Sequence, residues 1–244
     1  SLVLDSSGNV YTIGNFKNDI DFDPGIGVYT LTSNGQEDVF IVKLYTNGDF
    51  SWAKSFGGWS NDLVNSIALD PFGNVFTTGS FKNTVDFDPG IGVNNLSSAW
   101  ATDAFISKLD SDGNFLWASN MGGGSEDEGV SIVTDNNGSI YTTGTFSAGA
   151  NLNPMGSFII QSNGLKDVFV NKISNCYSGI INNSPTLYAI DTTASYQWLD
   201  CGNNYSLISG ATSQSYTPIV NGSYALEVTT NYCVDTSACE LVNN

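Results

Sequence analysis

The stretch GNVYTIGNF at residues 8–16 returns as GNVFTTGSF at 73–81 and again as GSIYTTGTF at 138–146. The three copies stand 65 residues apart, and each has the composition of a β-strand. A strict period of this length predicts one supersecondary unit repeated along the chain. Such a unit buries its apolar face only against a neighbouring copy, so we expect the copies to stack.

A second phrase repeats at the same period. DFDPGIGV occupies residues 21–28, returns unchanged at 86–93 and decays to NLNPMGSF at 151–158. Together the two phrases divide the first part of the chain into three repeats, at about 1–65, 66–130 and 131–174.

Within a repeat, four short strand-like runs are separated by turns. In the second copy the turns are Asp-Pro-Phe-Gly and Asp-Ser-Asp-Gly, which supply the backbone conformations of β-hairpins. Two successive hairpins predict a four-stranded antiparallel meander, and such a sheet repeated around an axis is a β-propeller blade. The predicted strands of this copy are 65–70, 74–81, 103–109 and 114–119.

The third repeat breaks off after its third strand, because Asp167–Ile173 is followed by Ser-Asn-Cys instead of another strand. We therefore expect the last blade to lack its outer strand. A propeller ring has four to eight blades, so three repeats do not close one. We expect the remaining blades to come from a longer parent protein or from another chain.

Charge excludes several classes of partner. The chain has 24 Asp and Glu residues against seven basic residues, all of them Lys, and it has no His, for a net charge of −17. Nucleic acids and anionic membranes attract basic surfaces, so we predict no nucleic-acid partner. No apolar run reaches the length of a membrane span, and we predict no direct membrane insertion.

The same composition argues against catalysis. Without His there is no Ser-His-Asp or Cys-His arrangement, and without Arg there is no bidentate clamp for phosphate. Paired carboxylates can hydrolyse glycosides, but the obvious pairs here recur from repeat to repeat, whereas a propeller active site is single and central. We therefore predict that the protein is not an enzyme.

The Asp-x-Asp-Pro-Gly phrases are the best candidates for a cation site. Asp21 with Asp23, and Asp86 with Asp88, present two carboxylates beside a turn, which suits Ca²⁺. The alternative is that these side chains cap the turn by accepting backbone N–H groups. The third copy has Asn at both positions and would bind a cation weakly or not at all.

Four tryptophans fall into two groups. Trp52 and Trp117 recur on the last strand of their repeats, where we expect them to fill the gap between adjacent sheets. Trp59 and Trp100 lie in loops outside that register, and we consider them candidate stacking platforms for a ligand.

Three lysines recur near the end of the third strand of each repeat, after Val39–Ile41 in the first copy and its counterparts in the others. We expect Lys43, Lys108 and Lys172 to pair with a repeated aspartate, such as Asp38 or Asp62 and their counterparts.

The repeats resemble a known family, the bacterial SBBP-type β-propeller repeat. The phrases that carry the resemblance are DxxGNVYTxGxF, VDFDPG, DxFIxKLDxxGxFxWA and the Gly-Gly that follows, and they cover residues 1–174. Members of this family are extracellular or surface proteins, commonly exported by type IX secretion. The resemblance implies a location and contact with that export machinery more than it implies a reaction.

Residues 175–244 form a second domain. The repeat vanishes there, all four cysteines appear, and four strand-like runs follow, at 186–190, 195–199, 223–229 and 236–242. The segment resembles the immunoglobulin-like modules that precede the sorting domain of type IX cargo proteins. That resemblance implies a β-sandwich with Trp198 in its core.

The clustered cysteines predict two disulfides and an oxidising compartment. Three connectivities are open. If the segment is a sandwich, Cys201 and Cys239 share one pole while Cys176 and Cys233 share the other, so we favour those two pairs. A zinc site is the minor alternative, and the absence of His and of a Cys-x-x-Cys motif argues against it.

The sequence thus predicts an all-β chain, with β-propeller blades followed by an immunoglobulin-like sandwich. We expect a non-catalytic structural or adhesive protein of the cell exterior or outer surface. The alternative is a propeller that binds or cleaves carbohydrate, with surface glycans as its partners.

Overall fold

The computed structural model describes residues 1–136, 138–154, 158–173, 179–190, 194–229 and 234–243. The predicted all-β fold is confirmed: the described residues form antiparallel strands and one short 3-10 helix, with no α-helix. The chain divides into two compact units, Ser1–Ile173 and Ser174–Asn244.

The first repeat is a complete four-stranded blade with an added hairpin. Its strands are β1 (Leu2–Leu4), β2 (Val10–Phe16), β3 (Asp19–Asp21), β4 (Thr30–Thr32), β5 (Asp38–Leu44) and β6 (Phe50–Phe56). The sheet has the order β1-β2-β5-β6, while β3 and β4 pair only with each other. Asp5 closes the β1–β2 turn, because its Oδ1 accepts the main-chain N–H groups of Ser7 and Asn9, each at 2.9 Å.

The second repeat forms the blade β7 (Leu63–Leu69), β8 (Val75–Asp86), β9 (Asn95–Leu109) and β10 (Phe115–Gly123). The two middle strands are longer than the sequence predicted. They continue past the blade as a two-stranded arm, after a register shift between Lys82 and Thr84. Asn83 lies at this shift with a φ of 67°, so the bulge interrupts the period-two pattern that would reveal the extension.

The third repeat has strands β11 (Glu128–Thr134), β12 (Ile140–Phe146), β13 (Gly149–Asn151), β14 (Ile159–Gln161) and β15 (Asp167–Ile173). Within the described residues its blade has three strands, β11-β12-β15, and lacks a fourth outer strand, as expected. Its arm, β13 with β14, pairs instead with the end of β10, where Gly122 faces Asn151. The second arm also reaches back to the blade before it, since Gly57 bridges to Asp86.

Two apolar clusters join the blades. One contains residues of the first and second repeats, and the other contains residues of the second and third. Trp52 packs against the first cluster and Trp117 against the second, which confirms their predicted place between sheets. The indole N–H of Trp52 also donates across the junction to the carbonyl of Ser111, at 3.2 Å.

The repeated aspartate that Lys43 interacts with is Asp5, whose pKa its positive charge helps to lower, and the predicted partners Asp38 and Asp62 are wrong. The Nζ of Lys43 lies 5.1 Å from the centre of the Tyr11 ring and donates to the carbonyl of Ser111 at 2.9 Å. Lys108 and Lys172 lie over the rings of Phe76 and Tyr141, each at 5.2 Å. The recurring lysine is thus held by a ring on the neighbouring strand, a favourable cation–π arrangement.

The second unit has two antiparallel sheets around one core. Trp198 is fully buried there, and its indole N–H donates to the carbonyl of Ser213 at 2.9 Å. The run predicted at 236–242 is in fact two strands, each paired with the strand Gly222–Thr229. The strands are β16 (Ile180–Asn183), β17 (Thr186–Ala189), β18 (Ser195–Asp200), β19 (Ser206–Leu207), β20 (Ser215–Tyr216), β21 (Gly222–Thr229), β22 (Val234–Thr236) and β23 (Glu240–Val242).

Candidate functional site

Pairs of aspartates are buried where successive blades meet. Asp38 and Asp62 lie at the junction of the first and second blades, and Asp103 and Asp127 lie at the next junction, one repeat further on. The four side chains are at most 1% exposed to solvent. Carboxylates are almost never buried to this degree unless other groups satisfy them, so these two junctions are unusual.

At the first junction the carboxylates hold two loops and one arm. Asp62 Oδ2 accepts the N–H of Gly58 at 2.7 Å, and its Oδ1 accepts the N–H of Lys82, at the base of the second arm, at 3.1 Å. Asp38 Oδ2 accepts the N–H of Asn34 at 2.8 Å. Each aspartate thereby closes a five-residue loop onto itself.

The second junction repeats this arrangement. Asp127 accepts the N–H of Gly123 at 2.8 Å and that of Ser147 at 3.0 Å. Asp103 accepts the side-chain amide of Asn120 at 3.0 Å, a donor that has no counterpart at the first junction.

Burial changes how these groups titrate. Loss of solvation raises the pKa of Asp62 and that of Asp127 to about 6, and the nearby charge of Asp38 or Asp103 acts in the same direction. Burial also raises the pKa of Asp38 and that of Asp103. The positive charge of Lys166 opposes the shift at Asp127.

The Gly-Gly motif that ends each outer strand makes room for the carboxylates. A Cβ on Gly57 would lie 2.2 Å from Asp38 Cγ. A Cβ on Gly122 would lie 2.7 Å from Asp103 Oδ1 and 2.8 Å from Asp127 Oδ2, so these two oxygens are at most about 5.5 Å apart. The sequence analysis did not identify the four aspartates as a site. Their recurrence at the repeat period beside Gly-Gly is the signal that could have found them.

Trp59 lies on the loop that Asp62 closes, as predicted. Trp100 was predicted in a loop but lies within β9, in the irregular segment that Asp103 closes, and its φ is 70°. Trp59 follows Gly58 and is 85% exposed, while Trp100 precedes Asp103 and is 93% exposed. Gly35 packs against the backbone of Trp59. The repeat places Trp100 at the position of Gly35, and Gly124 at that of Trp59. Each junction therefore presents one exposed indole. At the first junction it comes from the segment that Asp62 closes, and at the second from the segment that Asp103, the counterpart of Asp38, closes.

The Asp-x-Asp-Pro-Gly phrases form the tips of the first two arms, where the aspartates cap the turn. Asp21 Oδ1 accepts the N–H groups of Asp23 at 3.0 Å and Tyr29 at 2.8 Å, and these bonds lower its pKa. Asp86 and, in the third arm, Asn151 accept equivalent pairs of N–H groups.

An amide oxygen thus accepts the same two main-chain N–H groups as a carboxylate does, which supports the alternative that these side chains cap the turn. Among the described residues no group of three or more acidic, His or Cys side chains could hold a metal. Calcium at Asp21, Asp23, Asp86 and Asp88 stays a prediction.

One predicted disulfide is confirmed. Cys201 and Cys239 are bonded, with Cα atoms 6.3 Å apart. They flank one rung of the sheet, because Asp200 and Glu240 both pair with Tyr224 on the strand between them. Cys176 and Cys233 lie outside the described residues. Among the helices of the described residues, none is long and apolar enough to cross a membrane.

No protein-family model matches the chain. It is 27% identical over 201 residues to an "Uncharacterized WD repeat-containing protein L264" of Acanthamoeba polyphaga mimivirus, a match that covers 69% of this chain and 14% of that protein. It is 28% identical over 142 residues to "Regulatory protein FlaEY" of Caulobacter vibrioides, which covers 58% of this chain and 15% of that protein. The chain thus spans about a seventh of either relative. WD repeats form four-stranded propeller blades, in agreement with the sheets described above.

Proposed function

We propose that this chain belongs to a non-catalytic β-propeller protein that acts outside the cell or on its outer surface. In this proposal the blades are a rigid scaffold, and the second unit is an immunoglobulin-like spacer of a type IX secretion cargo. The Cys201–Cys239 disulfide supports an oxidising compartment. The export route rests on the resemblance of the sequence alone.

One observation carries the adhesive role. Trp59 and Trp100 are almost fully exposed, yet each lies on a segment that a buried aspartate closes by accepting a main-chain N–H group. Exposure of a large aromatic side chain to water is unfavourable in free energy, and binding removes that exposure. A segment already held in one conformation also loses little conformational entropy when a ligand binds to it. The junction loops are therefore the proposed binding surface.

A glycan is the ligand class that these loops suit best. Indoles stack on the apolar faces of sugar rings, and the neighbouring side chains Ser60 and Asn61 supply hydrogen-bonding groups. The net charge of −17 favours neutral or cationic glycans over acidic ones. Binding is favoured over cleavage, because the junction carboxylates are buried beneath the loops and a sugar could not reach them.

Further blades are the proposed partners of the two outermost blade faces. Leu2 is 66% exposed, whereas Ile67 and Ile132, its equivalents in the next two repeats, are almost fully buried by the preceding blade. At the other end of the array, Val168 and Val170 are also largely exposed. Blades of the parent protein or of another chain would cover both faces, in the same way that each repeat of this chain covers the blade face of the next.

A glycan array combined with a hydrolase screen tests this function. We expect binding without turnover, and we expect Trp59→Ala with Trp100→Ala to abolish it. The matched control is Tyr45→Ala, which removes an exposed ring from a hairpin turn of the first blade. Turnover by the parent chain, or binding that survives loss of both indoles, would contradict the proposal.

A further inference from the structure

The second and third arms dock on the blade before them in the same way. Gly57, directly after β6, bridges to Asp86 of the second arm, and Gly123, at the end of β10, pairs with Ala150 of the third arm. In both cases the arm meets the end of the preceding blade's outer strand. That strand end carries the same short pattern in the two blades, Phe56-Gly-Gly-x-x-x-Asp62 and Met121-Gly-Gly-x-x-x-Asp127.

The apolar residue and the second glycine of this pattern contact the arm itself. The rings of Phe56 and Phe87 pack with their centroids 4.9 Å apart. A Cβ on Gly58 would lie 2.8 Å from the carbonyl oxygen of Thr84 and 3.2 Å from Val85 Cγ2, so only glycine lets the arm approach this closely. The arm therefore needs a strand end with a large apolar side chain and with no side chain two residues later.

The aspartate of the pattern holds the base of the arm. Asp62 Oδ1 accepts the main-chain N–H of Lys82 at 3.1 Å, and Asp127 Oδ1 accepts that of Ser147 at 3.0 Å. Lys17 is the counterpart of these two donors in the first repeat. The aspartate that would accept its N–H in the same way belongs to a blade before the first.

The first arm presents the same contact surface without the same cover. Ile20 is 39% exposed, whereas its counterparts Val85 and Ala150 are at most 1% exposed. Phe22 is half-buried, whereas its counterpart Phe87 is fully buried. In the described part of the chain β3 pairs only with β4, so its other edge is open. This is the edge that the second and third arms turn toward the preceding blade.

A second copy of this chain offers no place for this arm. Among the described residues the pattern occurs at two strand ends, directly after β6 and in β10, and each already holds an arm of its own chain. The third blade cannot supply another such end, because its described part has no outer strand. The strand end that covers the first arm therefore comes from another blade.

We propose that the first arm docks on an outer blade strand that ends in a large apolar residue and two glycines, with an aspartate four residues after the second glycine. The strand belongs to a blade that precedes Ser1 in the parent polypeptide, and its apolar residue lies ten residues before Ser1. Phe56 precedes Ser66, the counterpart of Ser1, by the same interval, and the next repeat has it too. The inference rests on the further blades of the proposed function, but not on its glycan ligand.

A longer form of the chain, with a second copy of residues 66–130 placed before Ser1, tests the proposal. The added blade brings its Met-Gly-Gly-x-x-x-Asp to the required distance, because Val130 then precedes Ser1 as it precedes Ser131. We expect the main-chain amide of Lys17 to exchange with solvent about tenfold more slowly in the longer form, since it gains a carboxylate acceptor. The amide of Ser147 is the internal reference and should exchange equally slowly in both forms.

The matched control is the longer form with Gly123→Val in the added copy only, which puts a side chain where the arm must approach. It should return the Lys17 amide to its rate in the original chain and leave that of Ser147 unchanged. Ile20→Ser is an independent readout. It should lower the midpoint of urea unfolding more in the longer form than in the original chain, because the added blade buries this side chain.

A peptide replaces the added blade if the longer form does not fold. A synthetic peptide with the sequence of residues 114–128, added to the original chain, should shift the ¹⁵N signals of Lys17 and Ile20, and its Gly123→Val version should not.

Equal exchange of the Lys17 amide in the original chain and in the folded longer form would overturn the proposal. Dimerisation of the original chain that Ile20→Asp abolishes would also overturn it, in favour of a second copy as the partner. Neither result bears on glycan binding, which the variants of Trp59 and Trp100 test, so the two proposals can fail separately.

Discussion

The first and second blade junctions are built on the same backbone and differ in the side chains set into it. Both hold a Gly-Gly motif, two buried aspartates and two closed loops. The first has Trp59 opposite Gly35 and leaves Asp38 Oδ1 without a donor, whereas the second has Trp100 at the position of Gly35 and gives Asp103 a donor in Asn120. The common part holds the loops and the arm at each junction, and the variable part makes each junction a distinct surface.

The largest expected effect comes from filling the space that both junctions keep for their carboxylates. We expect Gly57→Ala to destabilise the first unit by about 4 kcal/mol, because the methyl group displaces Asp38 and breaks its hydrogen bond. Gly122→Ala should cost less, because its nearest carboxylate atoms are 2.7 Å away instead of 2.2 Å. Urea denaturation measures both.

Gly124→Ala is the control for these two variants, because a Cβ there meets no atom within 4 Å. It should change the free energy of unfolding by less than about 0.5 kcal/mol. Equal changes in the free energy of unfolding for the three variants would mean that the Gly-Gly motif does not leave space for the carboxylates.

The sequence predicted what the repeat itself determines and missed what arises from contact between repeats. The blades, the inter-sheet place of Trp52 and the missing outer strand follow from strand patterns and turns at a fixed period. Asp38 and Asp62 each look like an ordinary loop carboxylate. Their burial arises only when loops from two repeats meet, and a local pattern does not record it.

The arm was missed for a local reason. The bulge at Asn83 interrupts the alternation of side chains, so the sequence pattern of the strand ends there although the strand itself continues. The lysine partners were predicted by charge alone. In the structure Lys43 interacts with Asp5 by charge, but the ring of Tyr11 and a carbonyl also hold it, and formal charge does not indicate these two contacts.

Reduction of disulfides should affect the stability of the second unit but not that of the two blade junctions. Neither junction contains a cysteine, whereas Cys201–Cys239 closes a loop across three strands. Reduction should therefore lower the stability of the second unit by about 3 kcal/mol and leave the unfolding of the blades unchanged. Differential scanning calorimetry with and without a reductant measures this.

Cys201→Ser with Cys239→Ser should reproduce the effect of reduction on the second unit. Hydrogen exchange of the main-chain amides in β8 and β9 is the readout for the blades. Faster exchange there after reduction would contradict the independence of the two units.

The smallest expected effect lies at the arm tips, where the three copies again differ in chemistry but share a geometry. In the third arm an amide oxygen caps the turn with the same two N–H bonds that Asp21 and Asp86 accept in the others. Replacing a carboxylate by an amide should therefore preserve the turn. We expect Asp86→Asn with Asp88→Asn to lower stability by less than about 0.5 kcal/mol, and a chelator to leave the melting temperature of the original chain unchanged. If the first two arms bind Ca²⁺, as their sequence also allows, the chelator would lower the melting temperature. The double variant would then lose part of that response. The third arm would contribute nothing to it, because it already has Asn151 and Asn153.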